Sequence, residues 1–357
     1  MAFNIFETHT MLQLMKEVVP THSFLLDRYF KTNAATDIFS TADVLVEYQD
    51  GNHKASPFVS PRKNGVAVTR QGYELSKLEP AHIAVARTLT VDDLSKIGFG
   101  EALYSTLTPE QRQGAMLMHD LEDLRKMNVR RKEAMAAEVI FTNGCVMHEY
   151  VDDFGKYSEK QVQYYTGTND AVFTPSANWD TTEESGKQIY DDIHAMIQML
   201  TEKGLPATEM LVGSNVASIL VKNEFIQKVL DNRRYELGRV DPKSLPAGAA
   251  VLMTLNVYGH MIDVLTYDGS YQDVDGTTKY YVPANMVAVG APDAGHTIYG
   301  AITQVEQADG EFHTYAAVDV PKYLSDPVAN VRSITLSSAP LCVPKAKNCF
   351  IAATVTE

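Results

Sequence analysis

Cysteine is scarce, with three in 357 residues: Cys145, Cys342 and Cys349. An odd number of widely spaced thiols argues against a disulfide framework and for a reducing compartment. No apolar run approaches the ~20 residues needed to cross a bilayer, so no membrane partner is expected. The start, Met1 to Glu7, has neither a basic nor an apolar signal region, and no signal peptide is expected. Basic residues are also short, 31 Lys and Arg against 45 Asp and Glu, which leaves a net charge of −14 and a pI near 5.2. Such a surface is not built to grip nucleic acid, because phosphates demand Lys and Arg. There is no internal repeat and no low-complexity tract. What is present is ordinary globular material, 45% hydrophobic and 21% charged. At ~150 residues per domain, two compact parts are expected.

Catalytic and metal-binding signatures are missing as well. Gly98-Phe99-Gly100 begins like a dinucleotide-binding turn, but Leu103 stands where the third glycine belongs. His148-Glu149-Tyr150-Val151-Asp152 begins like a zinc-protease helix, lacks the second His and reads as a strand. Asp273-Val274-Asp275-Gly276 resembles part of a calcium loop. Tyr271 and Val282 occupy the positions of its first acid and its bidentate Glu, so a hairpin turn is expected. Ser214 follows a short apolar strand after Gly213 but lacks the second glycine of a nucleophile elbow, and is expected to cap the next helix. Cys145 and His148 are too close in sequence to favour a catalytic pair, and a buried inert thiol is expected. The ten His residues show no ligand spacing. No catalytic, cofactor-binding or metal residues and no cofactor are therefore assigned. The chain reads as a structural or binding protein rather than an enzyme.

Along the chain the pattern changes several times. Residues 1–36 read as an arm with a short amphipathic helix through Met11, Leu14, Met15 and Val18, ended by Pro20. Residues 37–91 read as extended, with a strand at Val44–Tyr48 and a tight turn at Asn64-Gly65. Ser60 to Arg70 carries Arg62, Lys63 and Arg70 with no acid. The core here is thin, so a partly exposed β-loop is expected. Residues 108–141 read as one helix. Thr108 and Gln111 have capping-box spacing, Pro109 suits the first turn, Leu117, Leu121 and Leu124 share a face, and Asn143-Gly144 is the stop. Such a helix is roughly 50 Å long and suits a strut. From about 180 to 290 an α/β region follows, its first helix marked by Ile189, Ile193, Met196, Ile197 and Leu200. Strands then run to the C-terminus.

Several stretches together resemble the lambda-type major capsid protein family, also called capsid protein E. They are Phe24-Leu25-Leu26-Asp27-Arg28-Tyr29-Phe30, Phe58-Val59-Ser60-Pro61, and Tyr281 through Gly290. Thr297-Ile298-Tyr299-Gly300, Pro321-Lys322, Asp326-Pro327 and Ser337-Ser338-Ala339-Pro340-Leu341 complete the pattern. The resemblance implies an α+β chain with the Hong Kong 97-like phage capsid fold. Its parts are an N-terminal arm (1–36), an extended E-loop (37–91), and a peripheral domain (92–180) with a spine helix at about 108–141. An axial domain (180–290) and C-terminal strands (291–357) returning to the peripheral domain complete it. The function implied is the major head protein of a tailed bacteriophage, self-assembling into hexamers and pentamers of an icosahedral shell around double-stranded DNA. Also implied are procapsid maturation, a scaffold, a portal and a decoration protein at three-fold sites. The location implied is the virion, after assembly in host cytoplasm. Some relatives of the fold form Lys–Asn crosslinks. Lys54, Lys63 and Asn64 lie in the loop, where a solvated basic stretch is the stronger reading. Two rivals stand beside this one, an encapsulin-like protein compartment and a cytoplasmic α/β hydrolase using Ser214.

Overall fold

A computed structural model describes residues 8–17, 23–48, 74–90, 93, 108–150, 157–164, 171–180, 185–230, 238–239, 243–307, 309–328 and 330–356. The fold is organised by one helix, α3 (Pro109–Thr142), following the short helices α1 (Thr8–Glu17) and α2 (Leu25–Tyr29). Its start is set by a complete capping box. The Thr108 hydroxyl accepts from the Gln111 N–H, and the Gln111 side chain accepts from the Thr108 N–H. Its end is set by Asn143 in the left-handed conformation at φ 55°, a geometry asparagine tolerates better than most residues.

The two halves of α3 bury against different partners. Near its start, Leu117, Leu121 and Leu124 pack with Met11 and Met15 of α1 and with Ile334 and Leu336. Those two residues lie in β19 (Val331–Ser338), the middle strand of a three-stranded antiparallel sheet between β18 (Val320–Asp326) and β3 (Ile83–Thr90). Toward its end, Ala134 to Phe141 enter the largest core together with Phe24, Leu25, Tyr29 and Phe30. The short alanines let the strand β20 (Pro340–Pro344) approach the helix.

A mixed eight-stranded sheet forms the second body. Its path is β6 (Val172–Phe173), β21 (Ile351–Thr354), β14 (Met286–Gly290), β7 (Glu209–Val212), β11 (His260–Tyr267), β10 (Ala249–Val257) and β8 (Gly238–Arg239), and β9 (Lys243–Ser244) also pairs with β10. The central strands β7 and β14 are buried nearly throughout, as strands covered on both faces must be. One face carries α4 (Ser185–Thr201), α5 (Ser214–Lys222) and α6 (Glu224–Leu230). There Ile189, Ile193, Met196, Ile197 and Leu200 close a separate core with Trp179. Trp179 donates to Asp192 at 2.9 Å, which satisfies the only indole of the chain. Gly213, between β7 and α5, has no room for a Cβ, which would lie 2.2 Å from the carbonyl oxygen of Pro283.

Among the described residues five two-stranded ribbons lie outside both sheets, and an ion pair links two of them. The first pairs β1 (Val44–Tyr48) with β2 (Glu74–Leu78), and the second pairs β4 (Gly144–Tyr150) with β5 (Tyr157–Gln163). The expected strand at Val44–Tyr48 thus forms a ribbon, while the expected turn at Asn64-Gly65 lies outside the described residues. The last strand of the 37–91 stretch, β3, is paired along its full length with β19 and belongs to the three-stranded sheet.

Candidate functional site

The surfaces of the chain depend on how its segments are tied to the long helix. Glu133 of α3 is 2% exposed and caps the start of α2. Its carboxylate accepts the N–H groups of Phe24, Leu25 and Leu26 at 2.9, 2.7 and 3.0 Å. Burial still holds its proton affinity above the ordinary glutamate value, with those three donors pulling the other way. Two residues further on, the arm segment reaches the large sheet. Arg28 pairs through two nitrogens with the buried Glu209 of β7, and the Tyr29 hydroxyl donates to the same carboxylate at 2.8 Å. One carboxylate therefore fixes α2 to the helix and another fixes it to the sheet.

Lys132, beside Glu133, points another way. Its ammonium lies 3.0 Å from Asp319 and 4.9 Å from the ring centre of Tyr299, with the Lys and Asp side chains 3% and 8% exposed. Burial opposes the charge, and Asp319 outweighs it, so the lysine stays above its ordinary value. Arg131 pairs with Asp273 at 2.7 Å on the hairpin of β12 (Ser270–Gln272) and β13 (Thr278–Tyr280). Three consecutive charged residues of α3 thus hold three remote parts of the chain. Sequence reasoning missed all three, because their partners lie 109, 187 and 142 positions away.

At the first ribbon, Lys77 bridges Asp43 at 2.7 Å, and Glu79 takes Lys160 of the second ribbon at 3.0 Å. Val44 and Leu78 are buried at the ribbon's root. Among the described residues, β1 and β2 pair with no strand but each other.

The residues weighed for chemistry do not converge. Cys145 is buried and His148 is exposed on the opposite face of β4, and burial pushes the Cys145 thiol far up. His148 stacks on Tyr157 at 4.5 Å and lies 3.4 Å from Glu159 of β5. Asp273 and Asp275 sit in a hairpin turn, as expected. Ser214 does not cap the helix. The cap position is Gly213, with no side-chain bond, and Ser214 is the first helical residue. The expectation overlooked that the strand runs straight into the helix, leaving no extended residue after Gly213. Gly98-Phe99-Gly100, Lys54, Lys63 and Asn64 lie outside the described residues.

Among the described residues, the one His and acid group with ligand spacing is Asp309, Glu311 and His313, exposed beside a hairpin turn. There His313 and Asp309 already bond each other at 2.8 Å. A cavity of about 420 Å³ is open to solvent between α2 and the loop at Pro292-Asp293, and its walls mix Asp27 and Asp293 with Arg28 and Lys31. No described helix is long and apolar enough to cross a membrane.

The chain matches the family model for phage major capsid protein E over residues 7–355. It belongs to that family. A solved structure from E. coli CFT073, assigned as a prophage capsid protein, shares the fold at TM-score 0.65 and 16% identity over 100% of both chains. The SrpI encapsulin of Synechococcus elongatus PCC 7942 gives TM-score 0.47 at 10% identity over 96% and 94% of the chains. The satellite phage P4 procapsid gives 0.43 at 11% identity over 98% and 100%. These two are loose likenesses. No curated protein matches the sequence. As a member of the capsid protein E family, the chain has the Hong Kong 97-like fold and is a phage major capsid protein, a structural component of the virion. A shell is what its surfaces build.

Proposed function

We propose that the chain forms hexamers and pentamers of an icosahedral shell that encloses double-stranded DNA in a tailed phage. The observation that carries this reading is the unpartnered ribbon of β1 and β2. A two-stranded ribbon is marginal alone in water; its root is held by Val44 and Leu78 in the core, and this reading gives the rest of its support to another copy. The extended loop expected at residues 37–91, less the strand β3, then acts as the arm that lies over a neighbouring copy, and permanent interfaces of this kind often exceed ~2,000 Å². Helix α3 is the spine of the peripheral part, and the eight-stranded sheet with its helices is the axial part. The clamps made by Arg131, Lys132 and Glu133 fit a subunit that moves as a rigid unit during procapsid maturation. The acidic surface suits a wall that should not bind its genome tightly. A separate scaffold, a portal and a decoration protein at three-fold sites belong to the same reading, as does assembly in the host cytoplasm.

Negative-stain microscopy of the expressed protein tests it, with and without lysate from infected cells. Shells, sheets or rings of five or six are expected. A stable small monomer at high concentration in both conditions counts against the reading. Mass spectrometry of purified particles separates a phage head from an enclosing compartment, since protein cargo without DNA would favour the latter.

A further inference from the structure

One hairpin carries acids that the protein's own cations do not match. Residues 301–321 include Glu306, Asp309, Glu311 and Asp319 and neither Lys nor Arg. Asp319 is matched by Lys132 of α3. Glu306 is occupied by protein donors, accepting from Thr8, Gln304 and Tyr315 at 2.8, 2.9 and 2.9 Å. Among the described residues Asp309 and Glu311 pair with no Lys or Arg, and the one side chain that meets Asp309 is His313.

These three residues lie where the chain turns from β16 (Ile302–Val305) to β17 (Phe312–Tyr315). Gly310, at φ 73°, takes the left-handed conformation that the turn requires. The reversal gathers two carboxylate oxygens and an imidazole nitrogen within 4.8 Å of one another. Asp309 is oriented by its backbone surroundings, since one of its oxygens accepts from the Glu311 N–H at 3.0 Å. Its other oxygen lies 2.8 Å from His313 Nε2.

That separation suits a shared proton, and it equally suits two neighbouring ligands on one cation. Bonds of ~2.0–2.1 Å place adjacent ligand atoms ~2.8–3.4 Å apart in octahedral to tetrahedral arrangements. Rotation of the exposed Glu311 side chain brings the third ligand into that range. The donor set chooses the ion. Ca²⁺ and Mg²⁺ take oxygen ligands, whereas imidazole favours Zn²⁺ and its neighbours. His119 and Asp123 on α3 form a similar pair at 3.5 Å, but there Arg87 and Lys126 already neutralise the acid. No ligand spacing is evident among the ten histidines in sequence. His313 acquires it from acids two and four positions earlier, across a turn.

We infer that Asp309, Glu311 and His313 form a binding site for a divalent cation of the Zn²⁺ class, with water completing its coordination. The cation takes the place of the proton between Asp309 and His313 and fixes the turn beside Glu306, where Thr8 anchors α1. The site does not depend on the shell proposed above.

Equilibrium dialysis of the full chain against Zn²⁺, with bound metal counted by elemental analysis, tests it. One equivalent is expected, weakened at least tenfold by His313→Gln and by Glu311→Gln and left unchanged by His119→Gln. All three positions lie at the surface, so thermal unfolding of the metal-free variants should match the parent. A large excess of Mg²⁺ or Ca²⁺ should not displace the Zn²⁺, and X-ray absorption of the loaded chain should read one imidazole among oxygen donors. Absence of binding, or full binding by His313→Gln, would overturn the inference. So would one-for-one displacement by Mg²⁺, which would reduce the cluster to an acidic surface that attracts any cation.

Discussion

Lys132 and Asp319 face each other inside the protein, so removing one leaves the other charged and without its partner. The cost of an orphaned buried charge is about 3–5 kcal/mol, whereas replacing both by apolar groups is often close to neutral. Lys132→Met alone should therefore lower unfolding free energy by about that amount, and Lys132→Met with Asp319→Leu should recover most of it. Denaturant titration of the unassembled protein measures both. An additive double variant would show that the two residues act independently. Asp273 gives a pH signature. Burial alone would raise its proton affinity, but hydrogen bonds from Lys279, Arg131 and the Val274 N–H outweigh burial and hold the carboxyl well below the aspartate range. A depressed carboxylate stabilises the fold above its unfolded value of ~3.9 and loses that contribution as pH falls toward the folded value. Asp273→Asn should thus be destabilising at pH 7, with the gap to the parent narrowing below about pH 4. A gap that stays constant from pH 7 to 3 would remove Asp273 from the account.

Helix α3 carries its own boundaries in sequence, because Thr108 and Gln111 cap each other and Asn143 accepts a left-handed turn. These are local interactions, and local interactions are legible without a structure. Thr108→Ala should cost about 1 kcal/mol, read as a lower denaturant midpoint. The same reasoning found the strand at Val44–Tyr48, the apolar stripe of α4 and the hairpin turn at Asp273. It did not place β3, whose partner β19 begins 241 positions later, nor the path of the eight-stranded sheet, which interleaves strands from residues 172 to 354. Pairing over such separations is decided by packing, which periodicity does not encode. Gly213 is a related case. Its sequence context suggested a nucleophile elbow, but the glycine is required because the carbonyls of Pro283 and Ala284 press on it. Gly213→Ala should destabilise the β7–α5 junction by a few kcal/mol, on the order expected for overpacking, while Ser214→Ala should be near neutral. Equal effects of the two changes would mean that the serine hydroxyl matters after all.

Copies of an acidic chain come together against their own charge. At net −14 the mutual repulsion between subunits is long-ranged at low ionic strength, where the Debye length is ~30 Å at 0.01 M, and is largely screened at physiological salt, where it is ~8 Å. The contacts that close a shell act at shorter range. Burial of apolar surface is not weakened by moderate salt. Raising salt from about 0.01 to 0.15 M should therefore lower the protein concentration at which particles appear, as followed by light scattering. The opposite slope would mean that attractive ion pairs between copies dominate. The basic stretch with Arg62, Lys63 and Arg70 would then be their natural source, because it carries no acid of its own. Neutralising those three residues would in that case abolish the salt dependence. If apolar burial drives closure, the same change would add three negative units to each copy's net charge and steepen the original slope.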